Sequence, residues 1–189
     1  MVLKELNEIM DRINDERTFF NEYYQNPNIR KSVFKFYNLL EEAKQNYRNI
    51  LRQNCQQVKM LELGCGRAKT LFYLVQHEAI VTGIDISDKV ILANKIEAKR
   101  RNLNIDFAVM DAESLAFNDN SFDIVYGSTI LHHLDVEKAY KEMTRVLKPE
   151  GKAIFLEPLG HNPFINLFRR FTPHLRTKNE HPLIKKDLE

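Results

Sequence analysis

The sequence predicts an α/β fold: a doubly wound, mostly parallel sheet with an N-terminal helical extension. Three observations predict it. From residue 58 onward, short apolar runs alternate with helix-periodic stretches, the pattern of a parallel sheet covered on both faces. The first of these runs, Val58–Leu63, enters a glycine turn, Gly64-Cys65-Gly66, that opens onto the helical pattern Thr70-Leu71-Phe72-Tyr73-Leu74-Val75. Before residue 55, apolar residues recur only at helical spacing. The chain therefore divides into a helical cap at 1–54, a nucleotide-type binding core at 55–157 and a C-terminal segment at 158–189.

Its 189 residues suffice for one domain with a real core, and 43% hydrophobic with 29% charged residues is ordinary for a globular chain. A net charge of +2 gives no case for a nucleic-acid partner. Cys55 and Cys65 offer neither a disulfide pattern nor a metal-ligand spacing. The N-terminus is acidic and amphipathic, unlike a signal peptide, and no apolar run reaches the ~20 residues of a membrane span. These features read as a cytoplasmic protein in a reducing compartment.

In chain order, Leu3, Leu6, Ile9, Met10 and Ile13 mark a first helix, and Asn26-Pro27-Asn28 marks a break. Val33, Phe36, Tyr37, Leu40, Ala43, Tyr47 and Leu51 mark a second helix over 29–51. Between them, Phe19, Phe20, Tyr23 and Tyr24 crowd a short stretch; their expected role is to staple the helices to the core, and the alternative is a lid over a pocket. Strands follow at 58–63, 79–85, 105–110, 122–126 and 152–157. Helices are expected at 69–77, at 88–102 behind a Ser87 cap, and at 136–147 behind an Asp135 cap, the last ended by Pro149-Glu150-Gly151. After Glu157 the pattern stops; Phe164, Ile165, Leu167, Phe168 and Phe171 suggest a short amphipathic surface helix beside Arg169-Arg170.

Ligands of open parallel sheets bind beyond the C-terminal strand ends. That rule gathers Glu62–Ala68, Asp85, Asp111 and Gly127–His133 into one cleft. Gly64 and Gly66 let backbone approach a ligand closely. Asp85, nineteen residues after Gly66, suits the two hydroxyls of a ribose. Asp111 is placed to accept from an adenine amine, or else to cap a turn. A dinucleotide-dependent dehydrogenase shares the turn and the acid. Two residues argue against it: Lys69 stands where its fingerprint has a third glycine, and Glu62 would repel a pyrophosphate but suits an ammonium group.

Five stretches, in order and spacing, resemble the motifs of class I S-adenosylmethionine-dependent methyltransferases. They are Leu61–Ala68, Gly83–Ser87, Asp111–Glu113, Phe122–Val125 with Leu131–Leu134, and Arg145–Gly151. The resemblance covers about residues 58–157 and implies a Rossmann-like fold with S-adenosyl-L-methionine as cofactor. It implies Gly64 and Gly66 against the methionine part and Asp85 on the ribose, with Cys65 and Ile86 also at the cofactor. It places Asp111, Ala112 and Glu113 about the adenine and Ser128 near the methyl group. Glu62 joins this set as the ammonium partner. Two departures stand out: Ala68 replaces the turn's third glycine, and little chain follows Glu157 to form the strand hairpin that closes the family's sheet. The chain reads as either cut short or a minimal member.

The resemblance implies an enzyme that methylates a small-molecule or lipid-like acceptor. Methyl transfer from a sulfonium is an in-line displacement, needing a base only where the nucleophile must lose a proton. His132 and His133 are the candidate bases; the alternative is that one packs at a helix start and the other faces solvent. Gly127, Ser128 and Thr129 stand where metal-dependent catechol-type members carry an acid, so no metal is expected, and the motifs of the nucleic-acid-modifying members are absent. The remaining alternative is a cofactor-binding module without a competent acceptor site.

Overall fold

A computed structural model describes residues 2–25, 41–161, 166–167, 170–171, 177 and 180–188. Five strands form one parallel sheet: β1 (Lys59–Leu63), β2 (Ile80–Asp85), β3 (Asp106–Val109), β4 (Phe122–Ser128) and β5 (Leu147–Leu156). Their order is β3-β2-β1-β4-β5, so the winding reverses between β1 and β4. The helices are α1 (Val2–Gln25), α2 (Glu41–Gln53), α3 (Lys69–Val75), α4 (Asp88–Arg100) and α5 (Val136–Val146). This is the Rossmann-like, doubly wound class that the sequence predicts.

Strand alternation sorts the core into two halves. Met60, Ile124 and Tyr126 pack with α2, α3 and α4 through Tyr47, Leu51, Leu71, Phe72 and Ile91. Their neighbours Leu61, Leu63 and Val125 pack the other way, with Leu131, Met143 and Val146. Each strand is thus apolar on both faces, which is why the strands read as runs rather than alternations. Ser87 caps α4 by accepting the Val90 amide at 3.2 Å, and Asp135 caps α5 through the Lys138 amide at 3.3 Å. Arg145 anchors α5 to the preceding loop through the carbonyls of Leu115 and Phe117.

Two sequence expectations are corrected. The aromatics Phe19–Tyr24 lie within α1 itself, which continues to Gln25, rather than between helices. Strand β5 begins at Leu147, and Pro149–Gly151 form a bulge in it rather than a turn before it: the pairing with β4 shifts register between Phe122 and Ile124, and Glu150 takes φ 65°. The helix expected at 29–51 is described only over Glu41–Gln53, and the expected break at 26–28 lies outside the described residues.

Beyond β5 the described residues carry no further strand of the sheet. Leu159 and Leu183 form an isolated parallel bridge, and Leu183 is fully buried in the α5-side core. Of the expected amphipathic helix, residues 166–167 and 170–171 are described and helical, and Leu167 and Phe171 are exposed. No helix among the described residues is long and apolar enough to cross a membrane.

Leu61 is 0% exposed and touches the core from the centre of β1. Leu61→Ala is expected to cost about 2–5 kcal/mol of unfolding free energy, read as a lower urea midpoint at unchanged slope.

Candidate cofactor and acceptor site

The ends of β1, β2 and β4 converge on the turn after β1. Gly64 and Gly66 adopt φ +61° and +49°, conformations that glycine reaches without steric cost. A Cβ on Gly64 would lie 2.6 Å from Ile130 Cδ1, and one on Gly66 would lie 2.6 Å from Tyr24 Oη. Ala68 also lies in the left-handed region, at φ 51°. The glycine the family pattern wants there is thus a conformational demand, which Ala68 meets with strain of about 1–2 kcal/mol.

Asp85 holds this turn. Its Oδ2 accepts the Gly66 amide and its Oδ1 the Ser87 amide, both at 2.9 Å. Burial raises the Asp85 carboxyl above its ordinary range, and these amides oppose the rise. Each oxygen keeps lone-pair capacity beyond its one amide, so holding the turn does not preclude a ribose. Asn94 braces the same turn by donating to the Gly66 carbonyl at 2.7 Å. Cys65 is buried within it as a free thiol, pushed up by burial and by Asp85.

Glu62 is 5% exposed, and its Oε2 makes no hydrogen bond. The neighbouring Tyr126 hydroxyl favours the charged carboxylate as a donor does, yet stands outside hydrogen-bond geometry. Burial lifts the Glu62 carboxyl well above its ordinary value, and Asp85 adds to the rise. A buried acceptor without a donor costs free energy, and an ammonium group supplies donors and charge together. With two close-approach glycines and Asp85 alongside, the residues fit a nucleoside that carries an amino-acid tail.

The remaining predicted residues separate into groups. Asp111 accepts the Glu113 amide at 2.9 Å, and Ala112 is buried in the α5-side core. Glu113 turns its carboxylate to the Arg12 guanidinium, with Nη1–Oε1 at 2.7 Å and a second contact between Nη2 and Oε2, and also accepts the Asp135 amide at 2.7 Å. The Ile86 carbonyl accepts from Arg17 at 3.3 Å. Ser128 ends β4, and Thr129 turns the chain away at φ 56°.

His132 is buried, with Nδ1 2.7 Å from Glu157 Oε2, while Glu157 Oε1 accepts the amides of Ile130 and Leu131. His133 lies beside it, ring centroids 4.3 Å apart, with Phe20 edge-on at 5.3 Å. Packing at a helix start holds for His132, whereas His133 faces protein groups rather than solvent. Glu157 was not singled out as a site residue, although it follows β5 as Asp85 ends β2, so the strand-end rule would have found it.

Helix α1 crosses these strand ends from Arg12 at Glu113, past Arg17 at Ile86, to Asn21. Asn21 accepts from Ser87 Oγ at 2.6 Å and donates to Asp88 at 2.9 Å. Tyr24 then reaches Gly66, and Arg67 donates to the Tyr24 carbonyl at 2.8 Å. No local pattern in the sequence marks these contacts.

A raised Glu62 carboxyl makes the folded state bind this proton more tightly than the unfolded chain. The stability it confers is complete below the ordinary value of 4.5 and is lost as pH rises through the folded value. Glu62→Gln is therefore expected to flatten the fall in thermal midpoint as pH rises above 4.5, measured on the ligand-free protein.

The family described as "Methyltransferase domain" matches residues 61–155, half of the chain. A ubiquinone biosynthesis O-methyltransferase of Coxiella burnetii is 35% identical over 97 residues, covering 51% of this chain and 42% of the relative. A phosphoethanolamine N-methyltransferase of Triticum aestivum is 33% identical over 98 residues, 51% of this chain and 19% of the relative. The chain thus spans less than half the length of these curated relatives. A solved structure of a SAM-dependent methyltransferase from Methanosarcina mazei superposes with TM-score 0.61 at 27% identity, covering 74% of this chain and 79% of that one. The fold, the turn and the matched span place this chain in the class I S-adenosylmethionine-dependent methyltransferases.

Proposed function

We propose that this protein transfers a methyl group from S-adenosyl-L-methionine to a hydroxyl of a small-molecule acceptor. The observation that carries the cofactor side is the buried, unmatched Glu62 Oε2 beside the two positive-φ glycines. In this reading Glu62 takes the ammonium group, Gly64, Cys65 and Gly66 lie along the methionine part, and Asp85 with Ile86 holds the ribose. Asp111, Ala112 and Glu113 border the adenine, the last through its hold on α1, and Ser128 lies near the methyl group. The sulfonium cofactor supplies an activated methyl; the chain's residues orient it and exclude water.

A hydroxyl acceptor is supported by the His132–Glu157 pair. Nδ1 of His132 shares its proton with Glu157 Oε2, which leaves Nε2 as the lone-pair nitrogen. That nitrogen can take the acceptor's proton, and His133 stands beside it as the second candidate. The Coxiella relative is named as an O-methyltransferase, which agrees with a hydroxyl. The division into a cap at 1–54, a core at 55–157 and a segment at 158–189 belongs to this proposal, with α1 covering the cofactor. We place the protein in the cytoplasm and give it neither a nucleic-acid partner nor a stable membrane insertion.

Calorimetric titration with S-adenosylhomocysteine tests the cofactor half. Saturable binding is expected, and Asp85→Asn is expected to weaken it by about 1.5–3 kcal/mol, as loss of a hydrogen bond to a charged group does. Absence of binding to the intact chain would overturn the proposal. For the acceptor half, His132→Gln is expected to slow methyl release into a pool of small hydroxylated compounds by about 10²–10⁴-fold. Its affinity for S-adenosylhomocysteine should not change.

A further inference from the structure

The C-terminal segment returns to the acceptor end of the cleft and brings Glu180 to the histidine pair. One donor atom from each of His132, His133 and Glu180 lies within 4.8 Å of the others. His132 is buried, and His133 and Glu180 are half-buried. The approach is fixed by backbone. The His181 amide donates to the His132 carbonyl at 2.9 Å, the Gly160 amide donates to the Leu183 carbonyl at 2.7 Å, and Leu183 is fully buried.

The surroundings of the two imidazoles match those of metal ligands. A ligating histidine usually gives its other ring nitrogen to a carboxylate or similar oxygen, which fixes ring and tautomer. His132 gives Nδ1 to Glu157 Oε2, and that carboxylate is itself held by two backbone amides. His133 turns Nδ1 toward Thr177 Oγ1 at 3.4 Å and Glu16 Oε2 at 3.7 Å. With Nδ1 so engaged, Nε2 is the nitrogen each ring would offer an ion, and Glu180 would add a carboxylate oxygen.

We propose that His132, His133 and Glu180 form a binding site for a divalent transition ion of the zinc type, one coordination position remaining for an acceptor oxygen. Two imidazoles and one carboxylate with an open fourth position is a known zinc donor set, with bonds of about 2.0–2.2 Å. A tetrahedron of that size holds its donors about 3.3 Å apart, so the three groups close by up to about 1.5 Å on binding. Neither the cysteine spacing nor the residues directly after β4 carry a metal signature, so the sequence alone predicts no metal. Glu180 enters from the far end of the chain. A bound ion would make the histidines ligands rather than direct bases, and would itself acidify the acceptor hydroxyl. This role rests on the proposed methyl transfer; ion binding does not.

The test is titration of the chelator-stripped full chain with Zn²⁺ against a chromophoric competitor, repeated with Co²⁺ to read visible ligand-field bands. One ion per chain is expected, with tetrahedral Co²⁺ bands. Glu180→Gln should weaken Zn²⁺ by more than about 100-fold, and Glu157→Gln by about 10–100-fold. The control His77→Gln, just beyond the C-terminal end of α3, should change nothing. S-adenosylhomocysteine binding by each variant reports that the cofactor cleft is intact. Absence of stoichiometric binding, or Zn²⁺ affinity unmoved by Glu180→Gln while S-adenosylhomocysteine still binds, overturns the metal site and leaves the direct-base reading standing. Loss of S-adenosylhomocysteine binding by the wild-type chain instead sinks the methyl-transfer reading, whatever Zn²⁺ does.

Discussion

The Asp85 carboxylate, shared between the amides of Gly66 and Ser87, is the contact on which the site depends. One oxygen fixes the turn after β1 and the other fixes the start of α4. Ser87 Oγ then caps α4 and also bonds Asn21 of α1. A single buried side chain thus sets the mutual position of two strand ends, one helix start and, through Ser87, the covering helix. Burying this charge is costly, and the amides that offset the cost are the ones that shape the cleft.

Beside that satisfied carboxylate sits an unsatisfied one. Glu62 and Asp85 lie at the ends of adjacent strands, and Asp85 raises the cost of ionising Glu62. The difference between them is hydrogen bonding: Asp85 has two amides, whereas Glu62 Oε2 has none. A ligand that brings donors and positive charge relieves Glu62 far more than it relieves Asp85. The ligand-free protein bears that strain as a pH-dependent loss of stability, a common trade at binding sites.

Helix α1 closes the cleft by polar registration more than by apolar burial. The Arg12–Glu113 pair lies half-buried, where desolvation consumes much of the Coulomb gain, so its main effect is to fix where the helix lies. From that anchor the helix carries Glu16 and Phe20 to His133 and Tyr24 to Gly66. In the aromatic cluster of Phe19, Phe20, Tyr23 and Tyr24, only Tyr24 is seen against both the core and the glycine turn. The cluster's rings pack on one another, and its last member stands over the glycine turn.

The sequence by itself determined the sheet, its helices, the caps at Ser87 and Asp135, and the glycine turn with its two acids. These follow from periodicities of two and 3.6 and from turn chemistry, which act over a few residues. It misplaced the start of β5, because Pro149-Glu150-Gly151 has the composition of a turn and only pairing with β4 makes it a bulge. It did not announce the Arg12–Glu113 pair, because nothing near residue 113 marks a partner 101 residues away. Only the tertiary structure joined Glu157 to His132 and brought Glu180 to the histidine pair. Such partners meet because the parallel sheet collects its strand ends on one side, whatever their separation in the chain. Spacing within the sequence carries no record of which side chains then come within reach.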